Sequence, residues 1–545
     1  MYASRLLAKY PTALTNVAPA GVVALYVDFN GVIHESAVAV LSRRSASPDL
    51  DALHAEIFSE IDRRIHAVVR EVRPTRLVFL AVDGVAPPAK QKQQRLRRHL
   101  AAMRRDKIAR FREANGMPDA AAAMWDSNCI SPGTEFMKLL DAHVSGALCE
   151  SLLRDAAIDV VYTGHADPGE GEQKIFDDVH ARAPAVAVVH GLDADLIMLG
   201  MLSPAGTVVY LMRCRDDDDG GSGQPAFLDT SEIGRGIGVD RRDYVLTCCF
   251  LGNDFLPNLP FLRLADGGLD VVADVYRRTN RRLVRSNPVT GKFEIDRGAL
   301  SAFLDDLANM EDATLDHALA RYHHQRRPLP PRPHVRTALE RFVDDLDRNV
   351  DRGGRFLFPL ADPSGWRRTF YSKMFGDATE GTVRSACQNY LEGLDWMTEY
   401  YMNRGAGTRR PWAYRYMYDY APSVYDIAGA CRDVDVDVSR APVDRSVGND
   451  VDVDPDVEVA LLAVLPASSA RRLLSSPAAV DVTADLSLGC VQYYPLRFEM
   501  HTFMADFLHQ CVPRLPLVDT DRIVAALEVS RRRCDTPAPL NSVRP

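Results

Sequence analysis

The chain has 545 residues, 46% hydrophobic and 26% charged, with ten cysteines and a net charge of −9. That balance predicts a globular protein of about two to four domains, or one large enzyme core built from discontinuous pieces. No run nears the roughly 18 apolar residues of a membrane span, and Met1 to Ala20 lacks a signal-peptide pattern, so no membrane partner and an intracellular protein are expected.

Short apolar runs at 22–27, 77–82, 158–162, 186–189 and 207–211 predict strands, most of them followed by a turn and a helix-like stretch. Strands alternating with helices predict an α/β fold with a central, mostly parallel sheet covered on both faces. In such sheets ligands bind beyond the carboxyl ends of the strands. Pro87 and Pro88 open a helix, and from there to Arg112 ten Lys/Arg stand against one acid, Asp106. Acid gathers instead at Asp216 to Asp219 and in the Asp/Val stretch 433–456, so the negative total hides a local patch suited to phosphate. The cysteines form no CxxC pair, which excludes a disulfide framework or a zinc site, and Cys248 and Cys249 read as buried thiols.

From about 270 to 400 the pattern is helical, broken by a basic, proline-rich segment from His323 to His334. Residues 411–422 read as extended, with Tyr414, Tyr416, Tyr418 and Tyr420 at period two. The acidic stretch 433–456 is a solvated loop; its echo of a calcium loop fails at Val438, where glycine is needed, and at Asp444, where glutamate is needed. The expected organisation is a sheet-based first region over 1–280, a helical connection over 281–365, and a second region over 366–534. The last carries the acidic loop, and residues 535–545 form a disordered tail.

Carboxylates carry the chemistry. Asp28 and Asp83 close two of the predicted strands, and Asp193 and Asp195 follow a third. Glu170 and Glu172 lie past the strand ending at Tyr162, and Asp254 follows an apolar helix. One such acid is most simply a cap or a turn former. Seven brought to one sheet edge would repel one another unless cations neutralise them. Hard oxygen ligands without His or Cys select Mg²⁺, with Mn²⁺ as a substitute, and two ions roughly 3.5–4 Å apart suit phosphodiester hydrolysis.

On the basic helix Lys90, Gln94, Arg97 and Arg98 are spaced i, i+4, i+7 and i+8 and share one face. By itself a charged helix is a solvated surface. Because this one starts next to Asp83, its face reads as a receptor for a terminal phosphate beside the metals.

The motifs LYVDFN (25–30), VDGVAP (82–87), DSNCISPGTEFM (126–137), PGEGEQK (168–174), GLDADLIMLG (191–200) and GNDFLP (252–257) stand in the order found in the XRN family of 5′→3′ exoribonucleases. That family includes cytoplasmic mRNA-decay enzymes and nuclear Rat-type enzymes. LEGLDWMTEYY (391–401), the 411–422 stretch and LAVLP (462–466) resemble its second conserved region. The resemblance implies a nuclease sheet of PIN or flap-endonuclease type, the seven acids as catalytic metal ligands, and a 5′-phosphate pocket of Lys90, Gln94, Arg97 and Arg98. It also implies His34 as a base-stacking residue. The expected substrate is single-stranded RNA with a 5′-monophosphate, degraded processively to nucleoside 5′-monophosphates by a cytoplasmic monomer in mRNA decay.

Several positions depart from the family pattern. Met1-Tyr2-Ala3-Ser4 replaces the usual opening, and Gln173 stands where His is usual. The stacking tryptophan is matched by Trp412, while His509 occupies a place where the family often has Trp. The chain reads as a minimal core with no zinc knuckle. The alternatives are a structure-specific 5′ flap DNA nuclease, against which the phosphate-gripping helix argues, and an inactive RNA-binding scaffold, against which the seven retained acids argue.

Overall fold

Five of the apolar runs pair as the central strands of one seven-stranded sheet. The computed structural model describes residues 2–43, 49–117, 125–155, 158–191, 193–214, 225–324, 328–350, 363–404, 414–433 and 456–535. Trp412, the acid run 216–219, the acidic stretch 434–455 and the tail 536–545 lie outside the described residues.

The strands are β1 (Leu14–Thr15), β2 (Ala24–Asp28), β3 (Leu77–Ala81), β4 (Asp159–Thr163), β5 (Val186–His190), β6 (Val208–Cys214) and β7 (Pro225–Asp229), in the order β1-β7-β6-β5-β2-β3-β4. The run β6-β5-β2-β3-β4 is parallel throughout. The two strands β7 and β1 join antiparallel at one edge, and neither was predicted. Observed boundaries sit within three residues of the predicted ones and coincide at Leu77 and Val186; the rest differ because an apolar run does not stop where pairing stops. Val22 is buried although its strand begins at Ala24.

Alternation along these strands feeds two cores. Tyr26, Phe79, Ala187, Val189 and Leu211 point into one, and Leu25, Val27, Val78, Leu80 and Val188 into the other. The second core is closed by helices of the first region, including Phe29–Ser42 and Leu50–Val72. The first continues without a break through Phe303, Tyr390 and Tyr416 to Met504. The second region therefore packs on the sheet rather than standing apart.

From Arg297 on, the described chain is mostly helical, with its longest elements at Arg297–His324 and Glu380–Met402. A short antiparallel hairpin, Val284–Ser286 with Phe293–Ile295, precedes it where only helix was expected. The tyrosine-rich stretch, described from Tyr414, forms no strand and bends at 418–420; Tyr414 and Tyr416 face the core. The nine described cysteines are free, and Cys248 and Cys249 are buried. Among the described residues no helix is long and apolar enough to cross a membrane.

Candidate active site

Parallel strands deliver the acids to one edge. Asp28 is the last residue of β2 and precedes the helix Phe29–Ser42. Asp83 lies just past β3, and Asp193 and Asp195 just past β5, with Asp195 opening the helix Asp195–Met201. Glu170 caps the helix Gly171–Arg182, and Glu172 lies in its first turn. The strands approach so closely here that a Cβ on Gly171 would sit 2.9 Å from the Ala81 carbonyl oxygen and 3.3 Å from carboxylate oxygens of both Asp28 and Asp83. Only glycine fits that junction.

The carboxyls are held by donors from several elements. Gly171 N donates to Asp83 Oδ1 at 2.7 Å, and Asn30 Nδ2 donates to Asp83 Oδ2 at 2.8 Å. Tyr400 Oη donates to Glu170 Oε2 at 3.0 Å, and Tyr401 Oη donates to Asp195 Oδ2 at 2.8 Å. Glu172 Oε1 is buried without a hydrogen-bond partner.

Crowding shows in the acidities. Burial, then Asp83, Asp193 and Glu170, push Asp28 well above the usual carboxylate range. Burial and Asp195 do the same to Glu172, and burial with Asp193 and Asp254 pushes Asp195 up to about 7. At Asp254 burial also pushes upward, but the Lys90 charge and hydrogen bond, helped by Arg97, outweigh it and leave that acid lowered.

Lys90 sits at the centre of this charge. Its ammonium lies 2.9 Å from Glu170 Oε1 and also pairs with Asp254, and the side chain is buried. Burial alone would lower its pKa; Glu170, Asp254 and Glu172 reverse that and raise it. The lysine expected in the phosphate pocket thus answers first to the acids. As the side chains stand, no group of three or more His, Cys, Asp or Glu among the described residues is arranged to hold a metal ion. Lys90, Asn30, Tyr400, Tyr401 and the Gly171 amide instead engage oxygens of Asp83, Glu170, Asp195 and Asp254. The donor set still fits a hard divalent cation, because it is all oxygen, strongly self-repelling, and includes the orphaned Glu172 Oε1.

A cavity of about 580 Å³ joins the acids to the basic helix Pro88–Ala114. Asp28, Asp83, Glu170, Glu172 and Asp193 line it together with His34, Lys90, Gln94, Arg97 and Arg98. Asp195 and Asp254 are not among its lining residues; Asp195 lies close enough to Glu172 to push its pKa up, and Asp254 pairs with Lys90. Arg98 is buried and donates to Gln94 Oε1 at 3.3 Å. Burial, with the like charge of Arg97, lowers its pKa to about 9. Neither Arg97 nor Arg98 makes an ion pair with a described residue. A buried guanidinium beside another, near Asp83 but in no direct ion pair, is a site that gains from an anion. His34 is exposed at the cavity; the surrounding protein, then Arg97, lower its pKa, so the ring is neutral at pH 7.

Residues not singled out in the sequence complete the walls. Ser127, Asn128, Ile130 and Pro132 line the cavity opposite the acids, and Asn128 is tied to the second region by a 2.9 Å bond to Ser469 Oγ. Their motif was visible, but their position was not. His509 lines an adjoining cavity of about 800 Å³ that shares Arg97 and Ala101 with the first; its ring stacks on Phe507 at 5.5 Å.

Two family models match the chain. One, described as XRN 5′-3′ exonuclease N-terminus, covers residues 1–214; the other, Xrn1 helical domain, covers 238–337 and 361–534. Among curated proteins, 5′-3′ exoribonuclease 1 of Homo sapiens is 26% identical, over 92% of this chain and 32% of that protein. The 5′-3′ exoribonuclease 2 of Gallus gallus is 25% identical, over 92% of this chain and 64% of that protein. The chain thus spans between about a third and two thirds of these relatives' lengths. Among solved structures, the catalytic core of Rad2 in complex with DNA substrate aligns over 69% of this chain and 96% of that one. The identity is 13% and the TM-score 0.31, too low for any structural conclusion.

Proposed function

The chain belongs to the XRN 5′-3′ exonuclease family, and from that premise we propose that it is a 5′→3′ exoribonuclease of single-stranded RNA with a 5′-monophosphate. It removes nucleoside 5′-monophosphates one after another, acts as a cytoplasmic monomer, and serves RNA and mRNA decay. The observation that carries the reading is the shared cavity, lined both by five of the acids and by Arg97 and Arg98.

Asp28, Asp83, Glu170, Glu172, Asp193, Asp195 and Asp254 would hold two Mg²⁺ ions, or Mn²⁺ in their place. When bound, such ions make water a nucleophile at neutral pH and balance charge on the scissile phosphate. The chain's own residues do the rest. Arg97 and Arg98 grip the terminal phosphate with forked donors, and Gln94 fixes the Arg98 fork. The pocket excludes longer 5′ groups by size. His34, neutral and exposed at the cavity, offers a ring on which any base stacks, worth about 1–3 kcal/mol and indifferent to sequence. Candidates for a second stacking ring are Trp412, which lies outside the described residues, and His509, which lines the adjoining cavity. Cutting one nucleotide inside a gripped end exposes a new 5′-phosphate, which enters the same pocket and gives direction without a motor.

The test compares RNA with 5′-phosphate, 5′-hydroxyl and 5′-triphosphate ends, and DNA of the same sequence, with and without Mg²⁺. Mononucleotides should appear only from 5′-phosphate RNA with Mg²⁺. Equal cleavage of a DNA flap would favour the flap-nuclease reading, and binding without hydrolysis would favour the scaffold.

A further inference from the structure

The acid cluster is contacted from the second region by two adjacent phenols. Tyr400 and Tyr401 lie near the end of the helix Glu380–Met402, more than 200 positions along the chain from the acids they touch. Both rings are buried. Tyr400 stacks on Trp396 at 5.0 Å, meets Phe255 edge-on at 4.8 Å, and lies 5.2 Å from Tyr401. The Arg404 guanidinium sits over the Tyr400 ring at 5.4 Å. This packing leaves neither hydroxyl free to move.

Each hydroxyl takes one oxygen of a different acid. Tyr400 holds Glu170 Oε2, so the other oxygen, Oε1, faces Lys90 and the cavity side. Tyr401 holds Asp195 Oδ2. A carboxylate fixed at one oxygen is presented through the other, and outer-shell donors of this kind set both the geometry and the affinity of a metal site.

We infer that Tyr400 and Tyr401 are positioning residues that fix Glu170 and Asp195 for divalent-cation binding, so that the second region completes a cation site whose acids all come from the first. The inference rests on the metal-dependent reading above.

The test measures Mn²⁺ binding to the substrate-free full chain by calorimetry, in the wild type, Tyr400→Phe, Tyr401→Phe and Tyr390→Phe. Tyr390 is the control: it lies on the same helix and donates to the Pro257 carbonyl oxygen at 3.3 Å, away from the acids. Tyr400→Phe and Tyr401→Phe should each weaken Mn²⁺ binding about 10-fold or more. The Mg²⁺ concentration for half-maximal hydrolysis should rise in parallel, and Tyr390→Phe should change neither quantity. Unchanged affinity in both active-site variants overturns the inference, as does an equal loss in all three, which would mean general loosening of the helix. If one variant does not fold, the other decides. A wild-type chain that binds no Mn²⁺ and hydrolyses no RNA would instead bring down the nuclease reading itself.

Discussion

Replacing Lys90 with Met tests whether the ammonium and a divalent cation answer the same negative charge. Lys90 is 5% exposed, lies 2.9 Å from Glu170 and also pairs with Asp254. At that distance one pair attracts by about 6 kcal/mol at an effective dielectric near 20, before the desolvation of both groups is subtracted. Removing one partner from a buried pair costs about 3–5 kcal/mol, because the other charge stays behind uncompensated. Methionine keeps the length and apolar stem of the lysine, so the loss reports charge rather than volume. In chelator, urea denaturation should therefore find Lys90→Met about 3–5 kcal/mol less stable than wild type. In saturating Mg²⁺ the gap should narrow, since the acids bind a cation better once the ammonium is gone. Each tenfold gain in metal affinity returns about 1.4 kcal/mol. An equal loss in chelator and in Mg²⁺ would refute the reasoning and leave Lys90 as an ordinary buried lysine.

Gly171→Ala should lower turnover at least about tenfold and cost about 1–3 kcal/mol in thermal denaturation, because its Cβ would crowd the Ala81 carbonyl oxygen and the Asp28 and Asp83 carboxylates; wild-type turnover in the variant would mean the strand ends part freely. His99 and His190 are held neutral, the first by burial with Arg95 and the second by burial alone, each with its pKa lowered to about 4. Both folded-state values lie below the unfolded one near 6.5, so the stability each contributes is complete above that pH and is lost as pH falls toward 4, about 3 kcal/mol apiece. Histidine NMR titration should find neither ring protonating above about pH 5, and a midpoint near 6.5 for either would contradict the assignment.

The parallel strands were legible because strands buried on both faces must be apolar at every position, as Leu25, Tyr26 and Val27 are. The edge strands escaped for the opposite reason. β1 is two residues long, too short for any period to emerge, and β7 carries only Ala226, Phe227 and Leu228 between Pro225 and Asp229. The acids were legible because each followed a readable strand or helix. Tyr400, Tyr401 and Asn30 were not, since nothing local distinguishes a core tyrosine from one whose hydroxyl meets an acid far along the chain.

The basic helix shows the limit most clearly. Spacing puts Lys90, Gln94, Arg97 and Arg98 on one face but says nothing about which end of that face overlies the acids. The helix starts at Pro88, soon after Asp83 in the chain. At 1.5 Å per residue, Arg97 and Arg98 sit about 10–12 Å further along than Lys90. The first cation therefore falls among Glu170 and Asp254, while the later two remain without a carboxylate partner at the cavity. One face thus divides into a cation that serves the acids and a pair that awaits an anion, and the division follows from where the helix begins.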